Sequence, residues 1–302
     1  MMKFDGVVAF VAIAETGSIS AAARRLGLAK SVVSDRLIEL ERVLETKVIQ
    51  RTTRNLSLTE NGQAFLPRAQ RILREADEAT AELAARSGRL AGPLRLSVPV
   101  SFGLLHLAPA LCEFLQKHKE IEISVELDAT FVAAAAGGFD AVLRHGTVDD
   151  SRLIARRLAT SRRLLVASPE YLKRMGRPAS LAELALHQGI MYLTRESVWR
   201  FSNGGGWTVV RPPSRLRVNN GLVMRDAAIA GLGITLLPTF FIHEHLKNGS
   251  LVSLDVGAPA EGAELTITYP RDHGSSAKIR AFADSLKASF GDPPYWERDI
   301  GK

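Results

Sequence analysis

Cysteine is almost missing: Cys112 is the only one in 302 residues. No intramolecular disulfide can form, which fits a reducing compartment such as the cytoplasm. The seven histidines are scattered, with no HExxH and no paired-cysteine spacing. His243 and His245 stand two apart in an expected helix and so diverge. There is no GxxxxGK[ST] loop. The stretch "GLGITLLP" has two of three glycines, at a helix end before a strand, which reverses a dinucleotide fingerprint. These absences argue against metal- or nucleotide-dependent catalysis, so no catalytic residue, metal or cofactor is expected. No apolar run reaches the roughly 18 residues of a membrane span. "MMKFDGVVAF" carries an early Asp5 and no small-residue cleavage site, and it does not read as a signal peptide. A cytoplasmic, membrane-free protein is expected.

The composition, 46% apolar and 24% charged, is that of a soluble globular protein long enough for two domains. The net charge of +7 permits an acidic partner. It does not locate one, because residues 1–91 carry +3 and the remainder +4.

Residues 4–15, "FDGVVAFVAIAE", have helical apolar spacing. "TGS" breaks that helix, and Ser18 can cap the next, a short Ala-rich helix over 19–26. Gly27 suits the positive φ of a tight helix–helix turn. A third helix is expected from Lys30 to Leu44, with Val33, Leu37, Leu40 and Leu44 turned inward. In "TKVIQRTTRNLSLTENG" two β-prone runs flank a polar turn, which reads as a wing bearing Arg51 and Arg54. Three helices and a wing make a winged helix-turn-helix, a unit that places its last helix in the DNA major groove.

From Glu60 to Arg86 an apolar stripe runs through Phe65, Ala69, Ile72, Ala76, Ala79 and Leu83. Such a helix needs a partner helix from a second subunit, or else folds back on its own chain. Pro67 removes one hydrogen bond near its start. "SGRLAGPL" reads as a domain boundary. Beyond it, strand-like "LRLSVP", "IEISVEL", "FDAVLR", "RRLLVAS" and "ELTITY" alternate with helices. That pattern predicts an α/β domain with mainly parallel sheets, the last two strands lying at passages between subdomains. Cys112, in the apolar-periodic "LAPALCEFLQKH", reads as a packing residue. "SNGGGWT" reads as a flexible loop. The tail "GDPPYWERDIGK" is not expected in the core.

"FVAIAETGSISAAARRLGLAKSVVSDRLIELERVL", "RTTRNLSLTENG", "FDAVLRHG", "SPEYLKRMGRP" and "AGLGITLLP" together resemble the LysR-type bacterial transcriptional regulators over nearly the full chain. The resemblance implies an all-α winged helix-turn-helix domain over residues 1–60 and a long linker and dimerisation helix over 61–91. It further implies a two-lobed α/β, periplasmic-binding-protein-like effector domain over 92–302. Lobe I would cover about 92–162 and 266–302, and lobe II about 163–265. The implied partners are double-stranded promoter DNA, a small-molecule effector and further copies of the chain, as a homodimer or homotetramer.

With the apolar stripe inward, Ser31, Asp35 and Ile38 project outward from the reading helix and Ser34 flanks them. Ser18 and Ser20 lie at the helix that crosses the DNA backbone. Lys30, Arg51 and Arg54 suit phosphates or the minor groove, or serve as solvated surface. Family members usually carry Ser or Thr near Ala29. That cap is absent here, which leaves a start one turn later, at Ser31, as the alternative to Lys30. Members often carry Lys or Arg where Asp35 stands. Asp35 either pairs with Arg24 or Arg36 or accepts from a cytosine amino group.

Two helix N-termini suit a carboxylate in the effector domain. One follows "PVSFG", and the other opens at Asn219 and Asn220. In the family these positions and the strand end "LRHG" border the ligand. The resemblance therefore assigns Ser101, Phe102, Arg144, His145, Asn219 and Asn220 to a small, anionic effector; capping or packing is the competing role for each. Thr130, Ala133 and Gly137 stand where many members are charged, so no relative's ligand transfers directly. A ligand-independent DNA-binding protein remains the alternative, ahead of a small-molecule enzyme.

Overall fold

A computed structural model describes residues 1–51, 56–86, 89–128, 138–146, 150–193, 198–271, 276–298 and 300. The chain divides into two units, Met1–Gly92 and Pro93–Lys302.

The first unit begins with α1 (Phe4–Thr16), α2 (Ile19–Leu26) and α3 (Lys30–Val43). Helical spacing buries Val7, Phe10, Val11 and Ile13 of α1 against Ala22 and Ala23 of α2 and Val33, Leu37 and Leu40 of α3. Ser18 caps α2, its hydroxyl accepting from the Ala21 amide at 3.4 Å. Gly27, at φ 66°, makes the turn into α3. α3 begins at Lys30, where the spacing placed it, with no side-chain cap, and the alternative later start at Ser31 does not occur. The Ala29 carbonyl already accepts the Val33 amide at 3.2 Å, so the first turn closes on backbone alone.

β1 (Ile49–Arg51) and β2 (Leu56–Leu58) form the wing as an antiparallel pair, with Ile49 opposite Leu58 and Arg51 opposite Leu56. Arg54 lies outside the described residues, as do Thr130, Ala133 and Gly137. α4 (Glu60–Arg86) starts hard against the wing: a Cβ at Gly62 would lie 2.0 Å from the Val48 carbonyl oxygen. Pro67 sits inside α4 without ending it. The apolar stripe of α4 divides. Phe65, Ala69 and Leu73 pack on their own domain, with the Phe65 ring 5.4 Å from Phe10. Ala79 and Leu83 remain exposed.

The second unit carries, in order, β3 (Ala91–Pro99), then a helical run of α5 (Val100–Phe102), a π-helical turn (Gly103–Leu107) and α6 (Ala108–Lys117). β4 (Glu120–Asp128), β5 (Ala141–His145), β6 (Leu153–Ser161), β7 (Arg163–Ala167), α7 (Pro169–Met175) and β8 (Gly189–Tyr192) follow. Next come β9 (Trp199–Ser202), β10 (Trp207–Val210), β11 (Ser214–Val218), α8 (Gly221–Ile229), β12 (Ile234–Pro238) and α9 (Thr239–Lys247). β13 (Val252–Leu254), β14 (Ala263–Pro270) and α10 (Ala277–Phe290) complete it.

Among the described residues two five-stranded sheets form the lobes, ordered β4-β3-β5-β14-β6 and β11-β8-β12-β7-β13. The chain passes from the first sheet to the second between β6 and β7, and returns between β13 and β14. The sheets are mixed, not mainly parallel. β3 runs parallel to β5, and β8 to both β11 and β12, but β7 and β14 run against their neighbours. Strands that bring the chain across or back need no helical crossover, so they pair antiparallel. In lobe II, β7 alternates sides: Leu165 and Ala167 join one apolar cluster and Val166 the other. The Gly204–Gly206 segment is the turn of the β9–β10 hairpin.

Two further readings need correction. Cys112 is exposed, on the outer side of α6. The tail is core: Trp296 is fully buried and Ile300 is 9% exposed. Trp296 lies 5.1 Å from Phe290, 6.0 Å from Phe102 and 4.9 Å from His106, ring to ring. Glu297 accepts from the Arg162 amide (2.8 Å), the Arg162 guanidinium (2.7 Å) and the Thr239 hydroxyl (2.5 Å). The chain after α10 thus folds back over the passage between lobes.

Candidate functional site

On the first unit, α2, the Gly27 turn and α3 make a helix-turn-helix. Lys30, Ser31, Val32, Asp35 and Ile38 are exposed on α3, while Ser18, Ser20 and Ser34 are half-buried. Arg51 begins the wing turn at the end of β1. Asp35 makes no ion pair or hydrogen bond among the described residues. Arg36 instead bonds Asp5 at 2.8 Å, which corrects the intraprotein pairing expected from Arg36. Glu39, the like charge one turn on, is held by Arg42 at 2.9 and 3.0 Å. The Arg42 bonds lower the Glu39 pKa, so the unbalanced carboxylate on this face is Asp35.

On the second unit, Ser101, Phe102, Arg144, His145, Asn219 and Asn220 all line one cavity of about 410 Å³ between the two sheets. It lies at the carboxyl ends of β3, β5, β8 and β11, where open α/β sheets place their ligand crevices. β3 ends there at Pro99, and the following helical turn presents Ser101, 8% exposed, whose hydroxyl makes no hydrogen bond among the described residues. The side chain of Asn220 is committed to capping: its Oδ1 accepts from the Leu222 and Val223 amides at 2.9 and 3.4 Å. Asn219 is exposed at the rim.

His145 stacks on Phe240 at 4.5 Å and meets Phe102 edge-on at 5.5 Å. Both its ring nitrogens are sealed from solvent without a partner. Burial, then the charges of Arg163 and His106, push its pKa down to about 3, so the ring is neutral at physiological pH. His106, beneath it, bonds the Tyr295 hydroxyl at 2.5 Å and the Phe240 carbonyl at 2.9 Å. Burial, opposed by the Phe240 bond and assisted by His243, takes it to about 4. Burial also lowers the Arg144 pKa.

Arg163, Trp199, Met191, Met224 and Phe240 complete the cavity wall and were not singled out in the sequence. Arg163 was legible only as the first residue of a strand. Its place at the passage between lobes is the signal that could have marked it. Among the described residues, no group of three or more metal-ligating side chains converges, and no helix is long and apolar enough to cross a membrane.

A helix-turn-helix followed by a two-lobed domain with an interlobe cavity defines a ligand-responsive DNA-binding regulator as a class. Residues 4–63 match the bacterial regulatory helix-turn-helix protein model of the lysR family, and residues 87–291 match the LysR substrate binding domain model. The chain belongs to the LysR-type transcriptional regulators. It is 32% identical to the regulator CrgA of Neisseria meningitidis, over 95% of this chain and 97% of that one. It is also 32% identical to an HTH-type transcriptional regulator of Haemophilus influenzae, over 92% and 98% of the two chains. The solved structure of CrgA aligns with a TM-score of 0.61 over 95% of this chain and 98% of that one, at 32% identity. That of AphB, the Vibrio cholerae virulence activator, aligns with a TM-score of 0.59 at 27% identity, over 95% and 99%. These relatives are named as transcriptional regulators.

Proposed function

We propose that this chain is a cytoplasmic, sequence-specific promoter-binding regulator whose activity is set by a small organic anion in the interlobe cavity. The cavity itself carries this reading: it is open, walled by both lobes, and offers the Ser101 hydroxyl and Asn219 amide, which have no partner among the described residues. A DNA-binding protein with no ligand has no need of such a space. Ser101, Phe102, Arg144, His145 and Asn219 would hold the effector, with Asn220 at the cavity edge capping α8. The exposure of Ala79 and Leu83 on the apolar stripe of α4 supports assembly with a further copy of the chain, as a homodimer or homotetramer.

The test starts from selection of genomic fragments bound by the chain. Their neighbouring genes nominate metabolites, and a reporter identifies the inducer. Ser101→Ala with Asn219→Ala should then lower sensitivity to that inducer about 10-fold or more, at one net hydrogen bond each. An unchanged dose–response curve overturns the reading.

At the DNA, Ser18, Ser20, Lys30, Ser31, Ser34, Asp35, Arg51 and Arg54 would form the contact set. Asp35 is the residue that sets preference, its free carboxylate accepting from a cytosine amino group in the major groove. Asp35→Ala should relax selection at one base pair per half-site, by about 1–3 kcal/mol of discrimination. A binding-site selection on wild type and variant measures it. A uniform shift in affinity across all sequences would mean plain phosphate repulsion instead.

A further inference from the structure

Arg163 opens β7 at the passage between lobes, and its side chain lines the cavity. Among the described residues its guanidinium makes no hydrogen bond and no ion pair. Glu261 is the opposite charge that acts on it, without reaching ion-pair distance, and burial holds its pKa below the ordinary arginine value. Arg163 is half-buried, and a guanidinium drawn partly out of water without a partner is unfavourable unless an anion arrives to pair with it. The other ionised side chains on the wall, Asp128 and Arg144, each have an interaction of their own. The rest of the wall is largely apolar, with Met191, Trp199, Met224 and Phe241 facing the space.

We infer that Arg163 is the anion anchor of this cavity, and that its ligand class is an apolar, ring-sized monocarboxylate. The carboxylate would take the guanidinium fork with two parallel hydrogen bonds. The apolar body would lie against the indole and thioethers. The volume, about 410 Å³, suits a body of one or two rings. A single unpaired cation matches one negative charge, so dianions and phosphates are disfavoured. This rests on the effector reading above and sharpens it. There the Ser101 hydroxyl and the Asn219 amide were offered to the anion; here they orient it while Arg163 supplies the charge. The unpaired guanidinium is also why Arg163, and not a residue of the capped α8 start, carries the specificity.

The test uses the full chain and titration calorimetry with benzoate, cyclohexanecarboxylate and indole-3-acetate, against benzamide and inorganic phosphate. At least one carboxylate should bind. Its uncharged amide, or phosphate, should bind far more weakly. Arg163→Met should weaken that carboxylate about 100-fold, and Arg163→Lys less, since it keeps the charge but loses the fork. Thermal melting separates this from a structural role. Removing an unpaired, half-buried charge should leave the ligand-free melting temperature equal or higher, whereas a structural arginine would lower it. Equal binding of benzamide, unchanged affinity in Arg163→Met, a lowered ligand-free melting temperature, or no binding by any of the three carboxylates at millimolar concentration each overturns the proposal. The effector reading falls separately, only if the Ser101/Asn219 double variant keeps its response to the inducer.

Discussion

Trp296→Ala should cost about 3–5 kcal/mol of stability in the effector domain. The indole is fully buried beyond the last long helix. It touches Phe290 behind it, Tyr295 beside it, and Phe102 and His106 in front. Truncation removes those contacts and leaves a void that a close-packed interior only partly closes. Phe102 is also part of the cavity wall, so the loss reaches the ligand site through that ring. Urea unfolding of wild type and variant gives the number. Trp296→Phe should recover much of it, because a ring still fills the space, and because the indole nitrogen has no partner to lose. A change below about 0.5 kcal/mol, the size of an ordinary surface substitution, would mean that the tail does not pack as described.

That burial was not legible in the sequence. "GDPPYWERDIGK" has Gly and two prolines at its start and charges near its end, and it has no periodicity to mark an inward face. Its partners, Phe102 and His106, lie nearly two hundred positions earlier, and no local pattern encodes such a contact. The helix-turn-helix was legible for the opposite reason. Its spacing, the Ser18 cap and Gly27 act within a few residues of one another. The strands were legible as strands, but their directions depend on how the chain crosses between lobes.

The cavity shows both cases. Ser101, His145 and Asn219 sit at strand ends that recur in family order, and the fold brings them together. Arg163 sits in "RRLLVAS", where the apolar run dominates the reading and the preceding arginine looks identical. Only the structure separates them: Arg162 is tied to Glu297, and Arg163 faces the cavity unpaired. Asn220 was read as a ligand contact with capping as its rival, and its side chain does cap α8.

Glu41→Ala should be as damaging to the first unit as Trp296→Ala is to the second, at about 3–5 kcal/mol. Glu41 follows Leu40 on α3, off the apolar stripe, and the charge makes it look like surface. It is 6% exposed. One carboxylate oxygen accepts both the Val48 and Ile49 amides, at 3.1 and 3.2 Å, and the other accepts Lys47 at 2.7 Å. This single side chain therefore fixes the reading helix to the first wing strand. Alanine leaves two buried amides without that acceptor, and each orphaned donor costs about 1–3 kcal/mol. Glu41→Gln keeps a carbonyl oxygen for the amides and loses mainly the Lys47 contact, so its cost should be much smaller. Lys47→Ala should cost about 1 kcal/mol or less, because the lysine side chain is 71% exposed. The order Glu41→Ala, then Glu41→Gln, then Lys47→Ala is the signature of backbone anchoring rather than a surface ion pair. Thermal unfolding of the three variants checks it. Gel-shift titrations should follow the same order, since a wing freed from α3 no longer holds Arg51 in register with the helix it flanks. If Glu41→Ala and Lys47→Ala cost the same, the carboxylate is acting only as a partner for the lysine, and the wing is held by its own pairing.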